Sequence, residues 1–143
     1  NSIHGLNLML VEDNELNREI ATAIMKEIGL EVDTAEDGTD AVNIMSSAEG
    51  RKYDLIFMDA AKGQYIHWLP DVVRLLAPGG ILMSDNVLQE GELIESHYLV
   101  ERRNRTIYKR MRDYLFELKH HPQLTTSIIP LGDGVSVSVK EEL

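Results

Sequence analysis

Short apolar runs that end in carboxylates alternate along this chain with segments of helical periodicity. Residues 6–11, 53–58 and 81–84 form three such runs, and each is followed at once by an acid, Glu12, Asp59 or Asp85. Brief apolar runs of this kind are typical of strands buried on both faces of a parallel sheet. Because parallel neighbours need a crossover between them, usually a helix, the alternation predicts an α/β fold built from βαβ units.

The intervening segments supply the helices and an antiparallel ending. Asn14 can cap a first helix that stops at Gly29, and we expect a second strand at residues 31–35 and a helix at 39–48. Further helices are predicted at 66–76, before the Pro-Gly-Gly at 78–80, and around 99–118. Strands at 126–131 and 135–139 flank Gly132-Asp133-Gly134, which indicates a hairpin.

Composition limits the partners of this protein. The 143 residues suit one domain, with a formal charge of −10 that favours neither nucleic acid nor an anionic membrane as a partner. There are no cysteines, hence no disulfide, thiolate metal site or cysteine nucleophile. No apolar run approaches the roughly 18 residues of a membrane span. A cytoplasmic location is therefore expected.

The first part of the chain resembles a bacterial response-regulator receiver domain. The stretch LNLMLVEDNELNREIATAIMKEIGLEVDTAEDGTDAV and the later YDLIFMD carry this likeness over about residues 1–59. The resemblance implies a Mg²⁺ site formed by Glu12, Asp13 and Asp59, with Asp59 as the phosphoacceptor. The alternative is that Glu12 and Asp13 only place negative charge at a helix N-terminus. Ser84 can stand in for the hydroxyl residue of that family, whereas its lysine after the fifth strand is missing.

The second part resembles the metal-dependent O-methyltransferases of the caffeoyl-CoA and catechol type. The motifs DLIFMDAAKGQY, LLAPGGILMSDNVL and IIPLGDGVSVSVK carry this likeness over about residues 53–143. The resemblance implies a divalent cation held by Asp59, Asp85 and Asn86, with Lys62 as the base towards the acceptor hydroxyl. The plainer alternatives are a solvated loop lysine at position 62 and a turn at Asp85-Asn86.

The methyltransferase likeness is incomplete at the cofactor. That family binds S-adenosylmethionine with a glycine-rich loop after the first strand, where this chain has Glu12-Asp13-Asn14-Glu15. Without a glycine the backbone cannot approach a ligand as closely. S-adenosylmethionine is therefore not expected to bind, although Mg²⁺ or another divalent cation is.

These two resemblances lead to one hypothesis with two alternatives. We predict an engineered chimera, a single domain over residues 1–143 that joins a receiver-like fragment (1–59) to a methyltransferase-like fragment (60–143). It would have no native catalytic activity, need no partner, and possess a possible homodimer surface in the region 89–118. The alternatives are a residual receiver and a residual metal-dependent O-methyltransferase. Superposing the two families predicts a three-layer α/β/α sandwich, flavodoxin-like or Rossmann-like, with sheet order 2-1-3-4-6-5.

Overall fold

The structure is a computed structural model, and it describes residues 4–47, 52–60, 64–85, 102–132 and 134–141. Strands and helices alternate through most of this chain. The strands are β1 (Asn7–Glu12), β2 (Glu31–Ala35), β3 (Tyr53–Asp59), β4 (Leu76–Asp85), β5 (Leu124–Ile129) and β6 (Val135–Lys140). The helices are α1 (Glu15–Glu27), α2 (Gly38–Ser47), α3 (Tyr65–Leu75) and α4 (Arg102–His120).

The six strands form one mixed sheet with the order β2-β1-β3-β4-β6-β5. β2, β1, β3 and β4 run parallel, and β6 pairs antiparallel with both β4 and β5. The predicted sheet order and the α/β architecture are confirmed. The architecture was predictable because each apolar run is too short for a helix and each crossover is long enough to contain one. The sheet order was predicted from the two family resemblances.

β4 begins earlier than the sequence pattern indicates. The Pro-Gly-Gly at 78–80 predicted a break before a strand at 81–84, whereas the strand runs from Leu76 to Asp85. Tyr53 pairs with Leu76 and Leu55 with Ile81, so the register shifts across the interruption. The Pro-Gly-Gly therefore forms an irregularity within the strand, where Gly79 has a φ of 79°.

The main core lies between one face of the sheet and three of the helices. Met9, Ile56 and Leu82 on the strands belong to a single buried cluster with Tyr65 of α3 and Met111 of α4. Since successive side chains of a strand point to opposite faces, the buried Leu8 and Leu10 face away from this cluster. Right-handed crossovers on either side of β1 put α1 on that opposite face.

Lys140 anchors the amino-terminal edge of the sheet from the end of β6. Its ammonium is buried and donates hydrogen bonds to the carbonyl oxygens of Val73 (2.8 Å) and Leu76 (2.9 Å), at the end of α3. Burial, with a smaller contribution from the charge of Lys52, lowers the pKa of this lysine. The ammonium therefore binds carbonyls that the helix leaves unpaired.

None of the helices in the described part of the chain is long and apolar enough to cross a lipid bilayer. The region 89–118, predicted as a possible homodimer surface, lies largely outside the described residues and side chains. That prediction is not tested by the structure.

Candidate functional site

Three carboxylates end three adjacent strands at the carboxyl edge of the sheet. Glu12 of β1 is the register partner of Asp59 in β3, and Asp85 ends β4 one position after the Met58–Ser84 pair. In each strand the preceding residue faces the main core, so alternation directs all three acids towards the α1 face. The parallel register therefore puts acids that are distant in sequence at one edge.

Glu12 is a buried acid with a raised pKa. It is only 6% exposed, and burial raises the pKa of its carboxyl to about 7, with a hydrogen bond and charge from Asp59 and a hydrogen bond to Asp13 acting in the same direction. The amide of Asn14 donates to Glu12 Oε2 (3.1 Å) and opposes the rise. Carboxylates this close favour either a shared proton or a bound cation.

The loop between β1 and α1 is closed by its own side chains. Asn14 caps α1, as predicted, with its Oδ1 accepting from the amide of Asn17 at 2.9 Å. The guanidinium of Arg18 donates to the carbonyl oxygen of Glu12 at 2.8 Å. Because side chains already bind the amides of Asn14 and Asn17, these two groups are not available to a ligand's anionic group.

A buried tyrosine holds the backbone on both sides of Asp59. The Tyr65 hydroxyl oxygen accepts a hydrogen bond from the amide of Ala60 (3.0 Å) and donates towards the carbonyl oxygens of Met58 (3.2 Å) and Ala60 (3.4 Å). Burial raises the pKa of this phenol, which keeps it neutral. Through these hydrogen bonds Tyr65 holds the carboxyl end of β3 in place.

A second buried tyrosine holds the residue before Asp85. The hydroxyls of Tyr114 and Ser84 lie 2.6 Å apart, and both side chains are fully buried. The ring of Tyr114 packs edge-on against that of Tyr65, with 5.4 Å between centroids. The ends of β3 and β4 thus share one buried aromatic support. The sequence analysis assigned no role to Tyr65; the signal it missed is that a buried tyrosine hydroxyl needs a partner.

The structure tests the predicted ligand set only in part. Within the described ranges, no group of three or more His, Cys, Asp or Glu side chains is placed so that it could hold a metal ion. Asp13 is exposed beside Glu12, while Lys62 and Asn86 lie outside the described residues. The assignments of Glu12, Asp13, Asp59, Asp85 and Asn86 to a cation, and of Lys62 as a base, therefore stay predictions.

The fold and the acidic carboxyl edge define a Rossmann-like α/β protein whose site would lie at the ends of β1, β3 and β4. The sequence profile of the O-methyltransferase family matches residues 6–141. The chain belongs to this family.

Individual relatives agree with the family assignment. Caffeoyl-CoA O-methyltransferase 2 of Populus trichocarpa is 25% identical over 139 residues, which cover 91% of this chain and 55% of that protein. The Bacillus cereus O-methyltransferase, solved in complex with SAH, has a TM-score of 0.69 at 18% identity, covering 94% of this chain and 74% of that one. TomG of Streptomyces achromogenes, solved with SAM, has a TM-score of 0.65 at 17% identity, covering 96% and 62%.

At these identities the solved structures establish a common fold. The chain spans about half the length of the curated relatives that it matches.

The predicted chimera is wrong. One family profile runs from residue 6 to residue 141, across the proposed junction near residue 59. The receiver likeness was carried by residues 6–42 and by YDLIFMD at 53–59. The site it implied consists of an acidic pair after β1 and an acid after β3, features that any parallel sheet with an acidic carboxyl edge can share. Asp59 is accordingly not retained as a phosphoacceptor.

The predictions that depended on the chimera fail with it. We predicted a scaffold without native catalytic activity and leaned against an enzyme. Both predictions disagree with membership of an O-methyltransferase family. The prediction against S-adenosylmethionine is likewise unsupported, since similar structures were solved with SAH or SAM. The prediction against S-adenosylmethionine rested on the absence of glycine from one loop, between β1 and α1. The family match instead extends over residues 6–141 and includes the whole sheet.

Proposed function

We propose that this chain carries the catalytic edge of a metal-dependent O-methyltransferase, which transfers a methyl group from S-adenosylmethionine to an aromatic hydroxyl. The observation that supports this most directly is the alignment of Glu12, Asp59 and Asp85 at the ends of neighbouring strands in a member of that family. Ligands of open α/β sheets bind outside the carboxyl ends of the strands.

The donor chemistry of this edge suits a hard divalent cation. Asp59 and Asp85 would hold it together with Asn86, since carboxylate and amide oxygens are the ligands that Mg²⁺ and Ca²⁺ prefer. Such a cation acts as a Lewis acid that makes an acceptor hydroxyl easier to deprotonate. The carboxyls of Glu12 and Asp59 interact through a hydrogen bond and through charge, and carboxylates this close favour a bound cation, which supports this proposal.

The chain's own residues would then position the acceptor and remove its proton. Asp59 and Asp85 would hold the cation that binds the acceptor, and Tyr65 holds the backbone that presents Asp59. Lys62, three residues after Asp59, is proposed as the base. A lysine suits this role only where burial or a nearby positive charge lowers its pKa towards neutrality.

The β1–α1 loop does not fit the methyl donor in the usual way. It contains no glycine, and the amides of Asn14 and Asn17 are bound by side chains. We therefore assign no residue of this loop to S-adenosylmethionine and derive no step through it.

The first test measures binding and catalysis separately. Titration calorimetry with Mn²⁺ and with SAH, followed by a methyl-transfer assay on catechol, should show binding of both ligands and a methylated product. Asp59→Asn and Asp85→Asn should each weaken Mn²⁺ binding at least about tenfold and abolish transfer. Asp71→Asn, on the exposed side of α3, is the matched control. A folded wild-type protein that binds neither ligand would refute the proposal.

A further inference from the structure

A cavity of about 400 Å³ lies between α1 and the edge strand β2. The helix supplies five of the residues that line it and the strand supplies one, namely Arg18, Glu19, Thr22, Ala23, Lys26 and Thr34. Thr34 is the register partner of the buried Leu10 and therefore faces α1. Small-molecule pockets commonly have volumes of about 300–1,000 Å³, so this cavity is large enough for a small ligand.

Two cations and a hydroxyl form one row along the wall of this cavity. Arg18, Thr22 and Lys26 are spaced four residues apart, so Thr22 lies about 6 Å along the helix axis from each of the other two. Arg18 is half-buried, and its guanidinium donates to the carbonyl oxygen of Glu12 at 2.8 Å. Because a guanidinium has several N–H donors, this hydrogen bond fixes its position without exhausting its capacity to bind an anion.

The hydroxyl of Thr22 adds an unused hydrogen-bonding group to this row. Its oxygen is buried, and within the described part of the chain it has no hydrogen-bond partner. A buried hydroxyl without a partner costs free energy, which a ligand that binds it recovers. Since a helical threonine adopts two χ1 rotamers, rotation about χ1 can turn this hydroxyl towards the cavity.

Glu19 adds a carboxylate to an otherwise cationic wall. It is exposed and lies about one helical turn before Thr22. Arg18 and Lys26 favour a phosphate, which a guanidinium binds through paired N–H donors. A carboxylate repels a phosphate but accepts hydrogen bonds from alcohol groups. A ligand that carries both a phosphate and neighbouring hydroxyls therefore matches both parts of the wall.

We propose that this cavity binds a small phosphorylated polyol of the sugar phosphate class, with its phosphate between Arg18 and Lys26 and its hydroxyls at Glu19. The hydroxyl of Thr22 donates to a phosphate oxygen, and Thr34 closes the side of the cavity that β2 forms. None of these residues is a proposed ligand of the cation or the proposed base. The site is therefore separate from the proposed methyl transfer.

Titration calorimetry of the wild-type protein with ribose 5-phosphate, in a phosphate-free buffer, should give a Kd on the order of 100 µM. Lys26→Gln should raise this Kd at least about fivefold, because it removes one of the two cations at the phosphate. Its matched control is Lys119→Gln, which removes an exposed lysine of α4 and should leave the Kd unchanged. Since both lysines are exposed, circular dichroism should show both variants folded.

Thr22→Val separates a role in binding from a role in the fold. Removal of an unpaired buried hydroxyl should leave the urea midpoint unchanged or higher, while the Kd for ribose 5-phosphate should rise about fivefold. A lower urea midpoint would show that the hydroxyl is already paired within the fold, and would overturn its assignment to the ligand.

Inorganic phosphate tests the contribution of the ligand's hydroxyls. It should bind the wild-type protein more weakly than ribose 5-phosphate does, and Glu19→Gln should bring the two affinities closer together, because the carboxylate repels the anion and accepts from the sugar. Equal affinities in the wild-type protein would overturn the preference for a polyol. The site itself is overturned if neither probe binds saturably up to about 10 mM, or if Lys26→Gln binds ribose 5-phosphate as the wild-type protein does.

Discussion

The hydroxyl oxygen of Tyr65 accepts a hydrogen bond from the amide of Ala60, the residue that follows Asp59, at 3.0 Å. The same hydroxyl donates towards the carbonyl oxygen of Met58, which precedes Asp59. One buried phenol therefore contacts the backbone on both sides of a proposed cation ligand. By holding this backbone, Tyr65 would keep Asp59 in position for binding before a cation is bound.

Removing this hydroxyl should loosen the proposed site more than the fold. We expect Tyr65→Phe to raise the Kd for Mn²⁺ about tenfold, as removal of groups that orient metal ligands commonly does. Calorimetry gives the Kd, and amide hydrogen exchange at Ala60 should accelerate in the variant. Tyr53→Phe is the control. Tyr53 lies at the start of β3, at the opposite end of the strand from Asp59, and its hydroxyl donates a hydrogen bond to Asp33 of β2. Equal Mn²⁺ affinity in wild type and Tyr65→Phe would contradict this role.

Glu12 should make stability depend on pH. Its carboxyl pKa is raised from 4.5 to about 7 in the folded state, mainly by burial. Between these values the folded chain binds more protons than the unfolded chain, so the free energy of unfolding should fall as pH rises from about 4.5 to 7. Urea denaturation in EDTA across this range measures the slope. Glu12→Gln should reduce the dependence of the unfolding free energy on pH. Glu31→Gln, on the exposed edge strand β2, should leave that dependence unchanged.

A divalent cation should remove the same pH dependence, because it stabilises the ionised form of the acidic edge. Denaturation midpoints at millimolar Mg²⁺ that match those in EDTA at every pH would contradict a cation site there.

The buried ammonium of Lys140 should stabilise the folded protein through its two hydrogen bonds. Lys140→Met keeps much of the aliphatic stem but leaves the carbonyls of Val73 and Leu76 without their donor, at a cost of about 1–3 kcal/mol in unfolding free energy. Lys119→Met is the control, since the exposed Lys119 makes only a 3.5 Å contact with the carbonyl of Thr126. Similar stability losses in the two variants would show that the buried hydrogen bonds add little.

Gly38 should not tolerate a side chain. A Cβ there would lie 1.8 Å from Cδ2 of Trp68, so Gly38→Ala must displace the indole and should destabilise the protein by about 1–3 kcal/mol. In a background of Trp68→Leu the same change should cost less, because the clashing ring is gone. Chemical denaturation of the four proteins gives this coupling. Strict additivity of the two losses would rule out the contact as the cause.

The parts of the fold that depend on local pattern were predictable. Apolar runs defined the parallel strands, Asn14 was identified as the cap of α1, and residues 31–35 were placed correctly as β2. The sheet order was predicted from the two family resemblances, and the structure confirms it. The start of β4 was not predictable, because Leu76 becomes a strand residue by pairing with Tyr53, 23 positions earlier in the chain.

The origin of the chain was predicted wrongly from its motifs. Short motifs around Glu12 and Asp59 match more than one α/β family because the same edge of a parallel sheet supports several acidic sites. Only comparison over residues 6–141 assigned the chain to one family.

The sequence by itself determined the alternation of strands and helices and placed acids at the strand ends, because periodicity and caps act over a few residues. The tertiary structure alone decided which of these acids is buried enough to shift its pKa, that Tyr65 and Tyr114 support Asp59 and Ser84, and that one side of α1 lines a cavity beside β2. Burial, desolvation and hydrogen bonds between distant segments exist only after the strands have paired, so no local pattern encodes them.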